Sequence, residues 1–372
     1  MCNFQPSTSG DGFFYLLFPP VETIMTKMTT IAAGVLTLCC LLAPVSVPAA
    51  EKTLTLMTHD SFNVSKELIA RFEEENNVTL RVFKAGDAGA ALVQAILSRG
   101  NPMADVFYGV DNTFLSRALK ADIFLPYASP QLGNIDFRFR LDPDNRLLPV
   151  DYGDVCLNYD KSWFAANDIA PPGNLEDLVK PQYKGLTVVE NPATSSPGMA
   201  FLLATIGRFG ENGYLEYWKK LRANDVLVAN GWEDAYFSHF TAASKGSRPI
   251  VVSYASSPAA AVHYSEKPLD TAPTAAVTTD ASAFRQVEFV GILKGTKNLE
   301  KAQKLVDFML ARPFQEDIPL QMFVFPTNRK ATLPEVFIKF AVVAEKPAVV
   351  APAAIEKNRE KWLEAWTDAV LR

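Results

Sequence analysis

Lys52–Ala85 reads KTLTLMTHDSFNVSKELIARFEEENNVTLRVFKA. Two β-rich runs, KTLTLMT and VTLRVFKA, flank SKELIARFEEENN, where Leu68, Ile69 and Phe72 share one helical face and Ser65 stands at the N-cap position. Strand, helix, strand is the unit of a parallel sheet. The pattern continues outward. GAALVQAILSRG is expected to be a second helix ending at Gly100, ADVFYGV a third strand and NTFLSRALKADIF a third helix. Helices therefore cover both faces of a parallel sheet, and ligands bind such sheets at the carboxyl ends of the strands. Those ends carry THDSF, KAGDAG and GVDN.

A second α/β series follows. RLLPVDYGDVCLNYDKSWF contains a long strand, GLTVVENPATSSPGMAFLLATIGRFG a strand, loop and helix, and YLEYWKKLRAN an amphipathic helix. DVLVANGWEDAYFSHF and RPIVVSYASSPAAAV repeat the strand–loop–helix order. FRQVEFVGILKGT is a strand, NLEKAQKLVDFMLARPFQEDIPLQ one helix, and AIEKNREKWLEAWTDAVL a final helix. The segment 344–354 reads as a surface connection. No linker separates the two series, so the chain is expected to cross between two lobes at Leu148–Asp160 and Gln286–Leu293. The expected lobes are 51–150 with about 290–322, and about 151–289 with 323–372.

The first 50 residues differ. Lys27 precedes an apolar run, Ile31–Leu42, and VPAA offers a cut after Ala49 or Ala50, the order of a secretory signal whose natural start is expected at Met25 or Met28. The apolar run is short for a bilayer span. An exported, periplasmic protein is expected. Beyond the leader only Cys156 remains, so no internal disulfide forms there, and the thiol in DVCLNY reads as a small buried hydrophobe. The net charge of −5 and the lack of a basic run argue against nucleic acid.

His59, Asp60 and Ser61 are the residue types of a hydrolytic triad, but triad members are dispersed in sequence and converge in space. There is no G-x-S-x-G elbow, and His59, His239 and His263 form no metal-binding pair. Neither a metal nor a cofactor is expected. At the strand ends stand His59, Asp60, Ser61, Asp87, Asp111, Asn112, Asp151, Tyr152, Trp232 and Tyr254. Acids with aromatic faces are what an organic cation needs. Each also has an ordinary reading: Asp111 and Asn112 as a helix cap, Asp87 as a turn residue, Trp232 as packing. Ser195, Ser196 and Gly198 open a helix, an anion or carbonyl site or a plain Ser cap.

Taken in order, HDSF, ADVFYGVDNTFL, PVDYGDVCLNYDK, ENPATSSPGMAFLL, NGWEDAY, VVSYASSPA and QVEFVGILKGT resemble the thiamine-binding periplasmic proteins of ABC transporters, within the extracellular solute-binding proteins. The resemblance covers most of Thr53 to about Phe337. It implies a two-lobed type II periplasmic-binding fold with hinge crossings and an interlobe cleft, capture of thiamine or its phosphates there, delivery to an ABC permease, and a monomer. It places ligand contacts at His59, Asp87, Ser195, Trp232 and Tyr254. The chain departs from the family pattern at His59, where a tyrosine is usual, at Ala259 and Ala260, where another is usual, and at Phe323, where the family has tryptophan. A polyamine is the competing ligand, and a secreted hydrolase using Ser61 or Ser195 the competing class. No Tyr-Tyr pair supplies the oxygen ligands of the iron-binding relatives. With His59 in the site, binding of a cation is expected to weaken below about pH 6.

Overall fold

The computed structural model describes residues 52–372; the leader and the cut expected near Ala50 lie outside them. In chain order the strands are β1 Lys52–Thr58, β2 Val78–Lys84, β3 Val106–Asp111, β4 Phe124–Leu125, β5 Leu148–Asp160, β6 Thr187–Glu190, β7 Leu227–Ala229, β8 Ile250–Tyr254, β9 Thr274–Val277, β10 Phe284–Leu293 and β11 Phe325–Pro326. The α-helices are α1 Lys66–Asn76, α2 Ala88–Leu97, α3 Leu115–Lys120, α4 Lys161–Ala166, α5 Ser196–Ala223, α6 Trp232–Asp234, α7 Ser257–His263, α8 Leu299–Leu310, α9 Arg312–Gln321, α10 Glu335–Phe340 and α11 Pro352–Val370.

The sheet runs β2-β1-β3-β10-β5-β8-β6-β7. β1 pairs in parallel with β2 and β3, and β6 with β7 and β8, so each half carries its own parallel set. The halves meet where β10 runs antiparallel to β5, with Phe284 opposite Val155 and Val290 opposite Leu148. These are the two long strands expected to cross. They are buried along nearly their whole length, which explains their apolar runs and makes a charge inside them conspicuous. This is a two-lobed α/β fold. One core packs α1, α8 and α9 over the first half, with Leu56, Phe72, Val106, Leu305 and Phe314 buried. A larger one joins α2, α5 and α11 through Leu92, Phe201, Trp218 and Trp366.

Several local expectations change. α2 ends at Leu97 with Ser98 as its C-cap, not Gly100, because the chain turns at once to reach β3. The run after β10 breaks at Ala311 into α8 and α9: Pro313 cannot donate an N–H and crowds the turn before it, so it sits in the first turn of a new helix. Gly210, with φ +71°, interrupts α5. The segment 344–354 is not simply surface: Ala344 and Ala348 are buried, and the Ala344 N–H donates to Asp154 Oδ2 at 2.7 Å. Cys156 is buried, and burial pushes its thiol up.

Candidate ligand-binding cleft

A cavity of about 670 Å³ lies among the loops that follow β1, β2, β6, β7 and β8, strand β10 and the turn before β11. Of the residues expected at the site, His59, Ser61, Asp87, Ser196, Trp232, Tyr254 and Phe323 line it. Asp60, Asp111, Asn112, Asp151, Tyr152 and Ser195 are not on its wall, and each has other work.

His59 leaves the end of β1 with its ring against Gly109. A Cβ at Gly109 would sit 2.6 Å from His59 Cδ2, and Gly109 has φ +111°, so glycine is needed twice over. His59 Nε2 stands 3.5 Å from Glu288 Oε1. Burial alone would lower the imidazole pKa, but the Glu288 carboxylate outweighs it and the net shift is upward. Glu288 comes from β10. Burial works to raise it, yet His59, Tyr108 and Asp151 together hold it below its usual value.

Asp151 lies behind Glu288 on β5, fully buried. Burial and the Glu288 charge push its carboxyl well above the usual range, so of the two it holds a proton more readily. The Tyr108 hydroxyl lies 2.7 Å from Asp151 Oδ2 and 3.0 Å from Glu288 Oε2. One hydroxyl proton cannot serve both acceptors, and a proton on Asp151 completes the network.

Asp87 caps α2, accepting from the Ala88 N–H at 2.7 Å. Its other oxygen accepts from the Trp232 N–H at 2.9 Å, and the Ser196 N–H lies 3.4 Å from Oδ1. The Gly89 N–H donates to Thr194 O at 3.0 Å. Asp87 therefore ties α2, in the first half, to loops of the second. Burial raises its pKa, although the Trp232 N–H, His59 and its other donors pull the other way.

The aromatic wall starts at Trp232. Its Nε1–H donates to Ser253 Oγ at 2.9 Å, and its ring stacks on Tyr236 at 5.1 Å. Tyr254 meets it edge-on at 6.5 Å and donates its hydroxyl to Gln286 Oε1 at 3.0 Å. Gln286 in turn donates to Ser196 Oγ at 2.9 Å. Phe323, also on the wall, holds φ +56°, a left-handed conformation that is uncommon for a bulky residue and that clusters at ligand sites. Ser256 Oγ donates to its carbonyl, which helps hold it there.

The remaining expected residues brace this frame. Asp111 Oδ1 accepts from the Thr113 hydroxyl at 2.7 Å and the Thr113 and Phe114 N–H groups, and burial lifts its pKa to about 7. Asn112 bonds both ways with β10, to Arg285 O and from the Val287 N–H, each at 3.0 Å. Asp60 Oδ1 accepts from the Gly86 N–H at 3.0 Å. Tyr152 stacks between Phe139 and Phe325. Ser195 caps α5 through the Gly198 N–H at 3.4 Å. Among the described residues, neither Ser61 nor Ser195 hydrogen-bonds a histidine, so the pairing a serine nucleophile needs is not formed.

Glu288, Glu233, Tyr236, Phe237 and Tyr264 also line the cavity and escaped the strand-end reading. Glu288 had a signal: it is a lone acid inside an apolar crossing strand.

An acidic, aromatic cavity between two α/β halves joined by crossing strands defines a solute-binding protein. Residues 101–341 match the family described as bacterial extracellular solute-binding protein. The chain is 30% identical to the thiamine-binding periplasmic protein of Escherichia coli and 31% identical to that of Salmonella typhimurium, over 87% of this chain and 95% of each relative. A solved periplasmic thiamin binding protein superposes with a TM-score of 0.75 at 28% identity, covering 87% of this chain and 97% of that one. A ferric binding protein from Campylobacter jejuni shares the fold, with a TM-score of 0.69 at 19% identity. The chain belongs to the bacterial extracellular solute-binding proteins and, among them, to the group of the thiamine-binding periplasmic proteins. It is a periplasmic transport component.

Proposed function

We propose that this protein captures thiamine in the cleft and delivers it to an ABC permease, without catalysing a reaction. The observation that carries this reading is that Glu288, whose carboxyl is held below its usual value, lines one cavity together with the rings of Trp232, Tyr236 and Tyr254. The thiazolium is a permanent cation. Ring faces attract it by roughly 2 kcal/mol once water is excluded, and the carboxylate balances its charge. We assign the lobes as 51–150 with about 290–322, and 151–289 with 323–372, hinged at β5 and β10. In this reading His59, Ser61, Asp87, Ser196, Trp232, Tyr254 and Phe323 form the wall, and the other six expected residues hold it in place.

Isothermal titration of the chain from Glu51 with thiamine tests this directly, with spermidine as the competing cation. Thiamine should bind in a one-to-one complex and raise the melting temperature. Trp232→Ala should weaken binding by about 10-fold or more while leaving the circular dichroism spectrum unchanged. Heat with spermidine and none with thiamine would replace the ligand. Unchanged affinity in Trp232→Ala would remove the aromatic wall from the site.

A further inference from the structure

Ile355, Arg359, Trp362, Trp366 and Val370 are spaced three to four apart on α11 and form one buried stripe. An apolar residue is expected at each place, yet position 359 holds an arginine that is only 2% exposed. Its guanidinium lies over the Phe114 ring at 4.4 Å. Nη1 donates to Glu360 Oε1 at 2.6 Å, and Glu360 itself stands largely in solvent. Among the described residues, Nε and Nη2 have no hydrogen-bond partner. Two charged donors without acceptors cost more than one ring face returns. Burial accordingly holds the pKa of Arg359 below its ordinary value.

The helix that carries this arginine reaches both halves. Its far end is fastened to the second half: Trp366 meets Trp218 of α5 edge-on at 5.5 Å, and Arg222 Nη1 donates to Ala369 O at 3.0 Å. Its near end touches the first half through Phe114 and through an exposed pair, Lys120 Nζ to Glu356 Oε1 at 3.2 Å, of a kind that contributes little. Phe114 stands at the seam between the halves. A Cβ on Gly89 would lie 2.9 Å from Phe114 Cζ and 2.7 Å from Thr194 O, so the three residues meet at one place. Thr194 leads through its neighbour Ser195 straight into α5. A rotation at β5 and β10 that parts Gly89 from Thr194 therefore moves α5, and α11 with it, away from Phe114.

We propose that Arg359 is the opening element of the cleft. Its guanidinium is stripped of water when the halves meet and rehydrated when they part, so it disfavours the closed arrangement without ligand and speeds release of the solute. The proposal goes beyond solute capture and rests only on the hinge assigned above.

Arg359→Met replaces the guanidinium with an unbranched apolar side chain, an exchange that is often neutral or stabilising for a buried charge. Without ligand, the variant should give a smaller radius of gyration than wild type in small-angle scattering. Thiamine should bind about 10-fold tighter, through slower dissociation, because a tenfold gain in the closed fraction appears directly in the apparent affinity. Arg359→Gln should move both readouts the same way, and Arg359→Lys, which keeps the charge, should leave both near wild type. An arginine with a merely structural role would instead give a lower melting temperature, an unchanged radius and no gain in affinity. An unchanged or larger radius in both neutral variants would overturn the proposal, as would faster release of thiamine. A lysine variant that shifts as far as the methionine one would assign the effect to shape rather than charge and overturn it too. Failure of both neutral variants to fold would show that the charge holds this core together, with the same consequence. If wild type binds no thiamine, the ligand reading fails and the radius alone decides the role of Arg359.

Discussion

At His59 a small difference in charge decides a large part of the cleft's behaviour. The groups acting on it are Glu288, Asp87 and Asp60, while beside Glu288 the Tyr108 hydroxyl stays neutral and burial pushes the Asp151 carboxyl well above its usual range. A histidine whose pKa is raised in the folded state contributes stability below its ordinary value of 6.5, and that contribution is lost as pH rises through the raised value. Ligand binding runs the other way. Protonated His59 cancels Glu288 and repels a cation, so affinity falls as pH drops through the raised pKa. The fall therefore begins above 6.5 rather than below about pH 6, because the unperturbed value ignores Glu288. Thiamine titrations at pH 8 and pH 6 should differ by about 10-fold in wild type and by much less in His59→Tyr. Asp87, whose pKa is also raised, adds to the loss at still lower pH. His59 and Trp232 were legible as residues of the cavity wall because they stand within three residues of the ends of β1 and β7. Which acid near them is ionised was not legible, since Asp151 and Glu288 meet only when β5 and β10 pair.

At the level of elements, loop residues divide into those that face the cavity and those that make the loop possible. Asp111 belongs to the second kind. It ends β3 and accepts three hydrogen bonds from Thr113 and Phe114. Asp111→Ala should lower stability by about 1–2 kcal/mol, the usual range for a lost cap, with thiamine affinity changed less than threefold when measured below the melting transition. A large loss of affinity at full stability would return Asp111 to the binding wall. Strands and helices were readable from periodicity because β1 to α3 alternate regularly and each helix has one apolar face. The break at Ala311 was signalled by Pro313 and overlooked because the apolar period continues through it. Burial of Ala344 and Ala348 had no local signal at all, since small residues suit a surface and a tight contact equally.

Across the whole molecule, the two halves touch at α2. Gly89 makes the approach possible: a Cβ there would lie 2.7 Å from Thr194 O and 2.9 Å from Phe114 Cζ. Gly231 does the same for Asp87, where a Cβ would lie 2.7 Å from Oδ2. Gly89→Ala should therefore hold the halves apart. Small-angle scattering of the unliganded variant should give a larger radius of gyration than wild type, and thiamine affinity should fall by about 10-fold or more, in line with the 1–3 kcal/mol cost of forcing an extra carbon into a packed contact. An unchanged radius with unchanged affinity would show that this contact does not set the closure.

The order of strands and helices, the two crossing runs and the loops worth inspecting were determined by the sequence alone, because hydrophobic periodicity and strand-end position are local properties. The tertiary structure decided what those loops do. It put seven of the thirteen expected residues on the cavity wall and set Asp60, Asp111, Asn112, Asp151, Tyr152 and Ser195 behind it. It brought Glu288 beside His59 and turned Asp87 toward the backbone of Trp232 and Ser196. These outcomes depend on burial and on partners distant in the chain, which periodicity does not record.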